Sequence, residues 1–178
     1  MARLAFMTFG VLYEPRTHPR SKGFIDRVPS VYEVVERSDG FIDRSYLDPE
    51  TGRHSWGISI CPTFVSQDLY SHLAHTFSLW RDLESVYAFS YADLHGEALR
   101  FRHEWFPAAK FPNYVAWWVA DDHVPSVREA TDRLEQLHKE GPTPAAFTFK
   151  APFDAQGAPA TLDRALIKAK IARNSAAG

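Results

Sequence analysis

The chain has 178 residues, 45% of them hydrophobic and 14% aromatic, which suits one core-bearing domain with at most a terminal extension. A net charge of -2 and a pI of about 6.4 lack the basic surplus of a nucleic-acid binder. No run of about eighteen apolar residues crosses a membrane, and the single cysteine, Cys61, excludes a disulfide framework and makes a cytoplasmic location the default expectation.

The opening "MARLAFMTFGVLYEPR" has an apolar run without a small-residue cleavage pattern, so it reads as a strand and not as a signal peptide. Leu4 and Phe6 point one way along it, and Ala5, Met7 and Phe9 the other. "EPRTHPRS" is a proline-broken loop. Ile25, Val28, Val31, Tyr32 and Val35 recur at helical spacing and predict a helix from about Lys22 to Arg37, with Pro29 a point of kinking. Ser38-Asp39-Gly40 stops it, "FIDRSYL" is a second strand, and "DPETGRH" is a turn.

From Trp56 to His72 short apolar pieces are broken by Pro62; a long excursion carrying a strand or short helix is expected. "HTFSLW" is a third strand. Asp82 can cap a helix from about Leu83 to Trp105. "NYVAWWVA" is a fourth strand, and Ser126 caps a helix from Val127 to about Lys139 that Gly141-Pro142 ends. In the tail, "TLDRALIKAKIARN" predicts a short basic helix.

This β-α-β-β-α-β order predicts an α+β, ferredoxin-like fold: one antiparallel sheet with its helices on one face, over residues 1–149, with a C-terminal extension at 150–178. In the fourth strand Tyr114, Ala116 and Trp118 lie on one face, and Val115, Trp117 and Val119 on the other. Both faces are apolar. If helices cover one, the other needs a cover, and the sheet of a second subunit is the simplest, which predicts a homodimer with sheets face to face.

The ordered motifs "SLWRDLESVYAF", His95, "RHEWF", "YVAWWVADDHVP" and "GPTPAAFTF" resemble a family of unknown function similar to the antibiotic-biosynthesis monooxygenases of the dimeric α/β-barrel superfamily. The likeness covers most of the span from Met1 to about Phe149. It implies a dimeric α/β barrel whose subunits each hold a cleft between helices and sheet. Superfamily members include cofactor-free oxygenases, haem-degrading enzymes, decarboxylases, isomerases and proteins without catalysis, so fold carries over better than reaction. The chain departs from the family pattern at Thr76 and Ser78, where an asparagine is usual before Trp80, and at Asp122, where a glycine is common.

On a helical wheel Tyr87, Tyr91, Leu94, Ala98, Phe101 and Trp105 form one core stripe. His95 and Arg102, seven positions apart, share a flank of it, while His103 points to solvent. His95 matches the histidine that recurs in the resembling family. It is a candidate general acid–base residue, with Arg102 steadying a developing anion. The plainer readings are a histidine bonded to a backbone carbonyl or a carboxylate, and an arginine in a surface ion pair. Trp80, Tyr91, Phe77, Trp118 and Tyr46 are the candidate substrate-binding residues, either a flat wall for an aromatic ligand or ordinary packing. No metal site is expected: His72 and His75 make an H-x-x-H pair without a third ligand at motif spacing. Cys61 lacks a base partner, and no phosphate loop, dinucleotide fingerprint or hydrolase elbow occurs.

Three functions follow. One is a cofactor-independent enzyme, of the kind found in secondary metabolism, acting on a small apolar or aromatic metabolite by oxygenation, cyclisation or isomerisation, or decarboxylation. The second is a haem-binding protein with His95 as axial ligand and Trp80 on the distal side. The third is a non-catalytic binding module whose "GPTPAAFTF" segment serves dimer contacts.

Overall fold

The computed structural model describes residues 2–48, 51, 53–91 and 102–177. Its elements run β1 (Arg3–Val11), α1 (Lys22–Ile25), α2 (Val28–Arg37), β2 (Phe41–Arg44), β3 (Leu73–Trp80), α3 (Leu83–Tyr91), β4 (Tyr114–Val119), α4 (Val127–Glu140) and α5 (Arg164–Ala177). The fold is α+β. Four antiparallel strands stand in the order β2-β3-β1-β4, so β1 is central. Among the described residues no helix is long and apolar enough to cross a membrane.

Local chemistry sets the helix boundaries. The helix expected over 22–37 is two helices, broken at Asp26 and Arg27. Pro29 lies in the first turn of α2, where its missing N–H is not needed, so it starts a helix and does not kink one. Asp82 accepts from the Ser85 N–H at 2.7 Å and caps α3. Ser126 accepts from the Glu129 N–H at 3.1 Å and caps α4, which ends at Gly141 with φ +78°. The excursion is less regular than expected. Isolated bridges join Leu47 to His54 and His54 to Gly57, and the helical part, Gln67–His72, is a 3-10 segment.

Strand alternation falls as expected. Leu4, Phe6, Trp80, Ala116 and Trp118 share the face that packs on Val35 of α2 and on Leu83, Val86 and Phe89 of α3. Ala5, Met7, Phe9, Phe77, Leu79, Val115 and Trp117 share the other. The expectation of helices on one face only is corrected here. Val127, Ala130, Leu134 and Leu137 of α4 pack on this second face, with Cys61, Val65 and Trp56 from the excursion. Trp117 Nε1 donates to Glu129 of α4 at 2.9 Å. Burying Val127, Leu134 and Leu137 at 0–4% exposure is worth on the order of 5 kcal/mol, enough to hold the helix in place. The face that was expected to need a second subunit is thus covered by the chain itself, and the reason for a face-to-face homodimer falls away.

The segment after α4 packs on part of the first face. Ala116 and Phe147 exchange two backbone hydrogen bonds of 2.9 Å, which cover the outer edge of β4 and bury Phe147 completely. Trp118 Nε1 donates to the Phe153 carbonyl at 2.8 Å. The predicted basic tail helix is α5, docked beside α3.

Candidate functional site

Three cross-strand rows on the first face grade from apolar to polar. The row Trp80–Leu4–Trp118 lies at one end. Ser78–Phe6–Ala116 follows, and then Thr76–Thr8–Tyr114. The first two rows are buried except for the partly exposed Trp118. Trp80 is fully buried, donates through Nε1 to Ser78 Oγ at 2.8 Å, and meets Phe89 and Phe41. The third row is half-buried and carries three hydroxyls on three adjacent strands. Thr8 and Thr76 share a hydrogen bond of 2.7 Å between their Oγ1 atoms.

Aromatic rings surround this row. Phe6, Tyr87, Tyr91 and Tyr114 all meet Phe149, with centroids 5.1–6.2 Å apart. Beyond the row, Phe106 lies over Gly10 so closely that an added Cβ would stand 2.7 Å from its ring. The Tyr114 hydroxyl accepts from the Phe149 N–H at 3.2 Å and is also hydrogen-bonded to the side chains of Tyr91 and Thr148. Burial pushes the Tyr114 phenol up to about 12, with Tyr91 and Tyr87 adding to the rise and the hydrogen bonds opposing it. Burial and Tyr87 also raise Tyr91, against the pull of the Arg102 guanidinium and of Tyr114. Both phenols are therefore protonated at neutral pH. They can donate to a ligand oxygen but cannot serve as bases.

Among the described residues, the candidates do not form one cleft. His95 lies outside the described residues. Arg102 is exposed, in the helical stretch 102–105, and acts on Tyr91 through its charge. Tyr91 is 52% exposed and borders the hydroxyl row. Tyr91 is therefore not on the core side of α3; Leu83, Val86 and Phe89 are, with Tyr87 partly buried against the same core, because α3 is wedged between the sheet and α5. Trp80 and Phe77 are corrected as ligand walls. Both are buried, and they point to opposite faces, with Phe77 held between Trp56 and Trp117 at 4.9 and 5.5 Å. Trp118 is partly buried under Phe153. Tyr46 is half exposed, and the Arg44 guanidinium is stacked between it at 4.0 Å and Tyr32 at 3.8 Å and pairs with Glu36. The H-x-x-H histidines part company: the His72 ring bonds to the Leu12 carbonyl at 3.1 Å, and His75 points into the second face beside Phe9. Cys61 is buried, with backbone carbonyls as its nearest polar neighbours.

Thr8, Thr76 and Tyr114 are not among the residues that the sequence singles out for a site. Their signal is faint: polar atoms at the inward positions of strands that are otherwise apolar there, visible only once the register is known.

Residues 3–163 match the family described as Domain of unknown function (DUF3291). No curated protein and no solved structure matches the chain.

Proposed function

Since the chain belongs to the DUF3291 family, described as of unknown function, we propose its activity from the chemistry of the hydroxyl row. It is a cofactor-independent enzyme that holds a small apolar or aromatic metabolite on the α2–α3 face and moves a proton on it. The observation that carries this reading is the row Thr76–Thr8–Tyr114, half-buried hydroxyls set against aromatic rings. Such a surface holds a flat ligand by its rings and one oxygen by its donors. Tyr114 and Tyr91 donate to that oxygen. Because neither is a base at neutral pH, the proton acceptor is a separate group, and His95 is the one we assign. Arg102, whose charge already reaches Tyr91, steadies the anion that forms.

The strand order and the β-α-β-β-α-β succession support a ferredoxin-like fold. This is the fold expected of a relative of the antibiotic-biosynthesis monooxygenases. The reading needs no second subunit to close the sheet, and a homodimer would meet through a surface other than the one under α4.

The test is solvent exchange. A panel of phenols and aryl ketones is incubated with the protein in D2O, and deuterium incorporation at carbon is followed by mass spectrometry, with oxygen uptake recorded in parallel. Exchange that His95→Ala abolishes and His103→Ala leaves intact is the expected result, since losing a positioned proton-transfer group costs about 10²–10⁴ in rate. Tyr114→Phe should weaken binding of the same compound. Exchange unaffected by His95→Ala in folded protein refutes the acid–base role. Binding that Tyr114→Phe abolishes, with no exchange or oxygen uptake for any compound, would favour a carrier over an enzyme.

A further inference from the structure

On the opposite face of the sheet from the hydroxyl row lies a second group of polar side chains, in an otherwise apolar core. His75 of β3 points there beside Phe9, and the excursion brings His54 onto it, the ring centroids 4.2 Å apart and the planes 32° from parallel. His54 is 8% exposed. His54 Nδ1 and His75 Nε2 are both shut off from solvent without a hydrogen-bond partner. Arg16 completes the group. Its N–H donates to the Ser71 carbonyl at 3.1 Å, which ties the loop after β1 to the residues before β3. Its guanidinium is close enough to act on both imidazoles, and among the described residues it has no ion-pair partner.

A cation does not suit these three side chains. Two imidazoles on one tetrahedral metal, with metal–nitrogen bonds near 2.0 Å, hold their centroids about 5 Å apart, wider than the 4.2 Å here. Arg16 would repel the metal, and no described group of three histidine, cysteine or acidic side chains could hold one. An anion fits each feature. It supplies the carboxylate or phosphate oxygens that Arg16 lacks among the described residues, and it accepts from the imidazoles once they carry protons on the unpartnered nitrogens.

We propose that Arg16, His54 and His75 form a binding site for a small oxyanion, a carboxylate or a phosphate group. Without the anion both histidines are held neutral: burial lowers His54, assisted by Arg16, and burial lowers His75 to about 3, assisted by His54 and Arg16. The anion reverses that electrostatic balance, so its binding takes up protons from solvent near neutral pH. The site lies across the sheet from Thr8, Thr76 and Tyr114, and it stands or falls independently of the activity proposed there.

The full-length protein is titrated with inorganic phosphate and, separately, with acetate. Calorimetry in two buffers of different ionisation enthalpy counts the protons, and nitrogen-resolved NMR follows the imidazoles. The expected result is saturable binding of one or both anions, with proton uptake and with His54 and His75 moving toward the imidazolium form. The anion preferred tells a phosphate ligand from a carboxylate ligand. Arg16→Gln, which keeps the backbone bond to Ser71, should weaken binding at least tenfold. Should that variant not fold, the imidazole shifts of the unmodified protein decide alone. Imidazoles that stay neutral and unmoved at saturating phosphate and acetate overturn the proposal. So do anion binding without proton uptake and tight zinc binding that His54→Ala abolishes.

Discussion

Lys170 Nζ lies 3.2 Å from the Asp39 carboxylate although the lysine side chain is only 5% exposed. The same ammonium is 3.3 Å from Asp82, the residue that caps α3, and Arg173 reinforces Asp39 from the next turn of α5. One buried cation thus ties the tail helix to the loop before β2 and to the start of α3.

Lys170→Ala leaves Asp82 without this cation and Asp39 with Arg173 alone. Breaking one side of a buried pair costs about 3–5 kcal/mol. The expected outcome is a lower melting temperature and early release of α5 in limited proteolysis. Arg173→Ala, at a side chain 57% exposed, should cost under about 1 kcal/mol.

Acid should weaken the fold well before the carboxylates titrate. His75 is depressed from 6.5 to about 3, so between these values the unfolded chain binds the proton and the folded chain does not. The stability due to this neutral histidine is full above pH 6.5 and lost as pH falls toward 3, by at most about 5 kcal/mol for a fall of this size. Asp39 adds a second loss below its usual 3.8, because its bonds to Lys170 and Arg173 outweigh the opposing effect of burial and hold it lower still. Urea unfolding at pH 7, 6, 5 and 4 measures the slope, and His75→Leu should flatten its upper part. An equal slope in that variant would place the titration elsewhere.

Trp117→Asp separates two views of the second face. Under a face-to-face dimer it would yield folded monomers. Here it buries a charge beneath α4 and removes the bond to Glu129, so insoluble or unfolded protein is expected, at a cost above about 4 kcal/mol. Light scattering with circular dichroism distinguishes the outcomes. Glu129→Gln, which keeps an acceptor for the indole, should cost about 1 kcal/mol.

Gly40 and Gly141 share a positive φ, +81° and +78°, but not their surroundings. A Cβ on Gly40 would stand 2.0 Å from Ser85 Oγ, whereas one on Gly141 would meet nothing within 4 Å. Gly141→Ala should cost about 1–2 kcal/mol from the backbone alone. Gly40→Ala adds the clash and should lose about 2–4 kcal/mol. Similar melting temperatures for the two variants would contradict this.

Much of the sheet was legible in the sequence because a two-residue alternation leaves little choice. Once Leu4 and Phe6 face one way, Met7 and Phe9 must face the other, and Trp117 and Trp118 divide likewise. The helix caps at Asp82 and Ser126 were legible for the same local reason. Location was not. The apolar stripe of α4 declares that the helix packs on something, yet nothing in Val127–Glu140 names the second face of the sheet. His54 and His75 meet across an excursion that holds only isolated bridges and a 3-10 segment, where no periodicity reports on contact. Aromatic size and flatness do not by themselves place a side chain at a ligand surface. Trp80, Phe77 and Tyr46 are large and flat, but which of them borders an opening depends on the packing of Phe89, Trp56 and Arg44 around them.

The central position of β1 also governs how the chain reaches its native state. Leu4 finds Trp80 on one side and Trp118 on the other, so neither ladder of this strand is closed by a short hairpin. Each requires a long stretch of chain to surrender its entropy before the first interstrand bond forms. Refolding should therefore be slow beside that of a helical bundle of equal length, in the range of mixed α/β domains. Until β4 arrives, the inner strand's apolar flanks and unpaired amides are open to other chains, so crowded refolding should lose protein to aggregation at this stage.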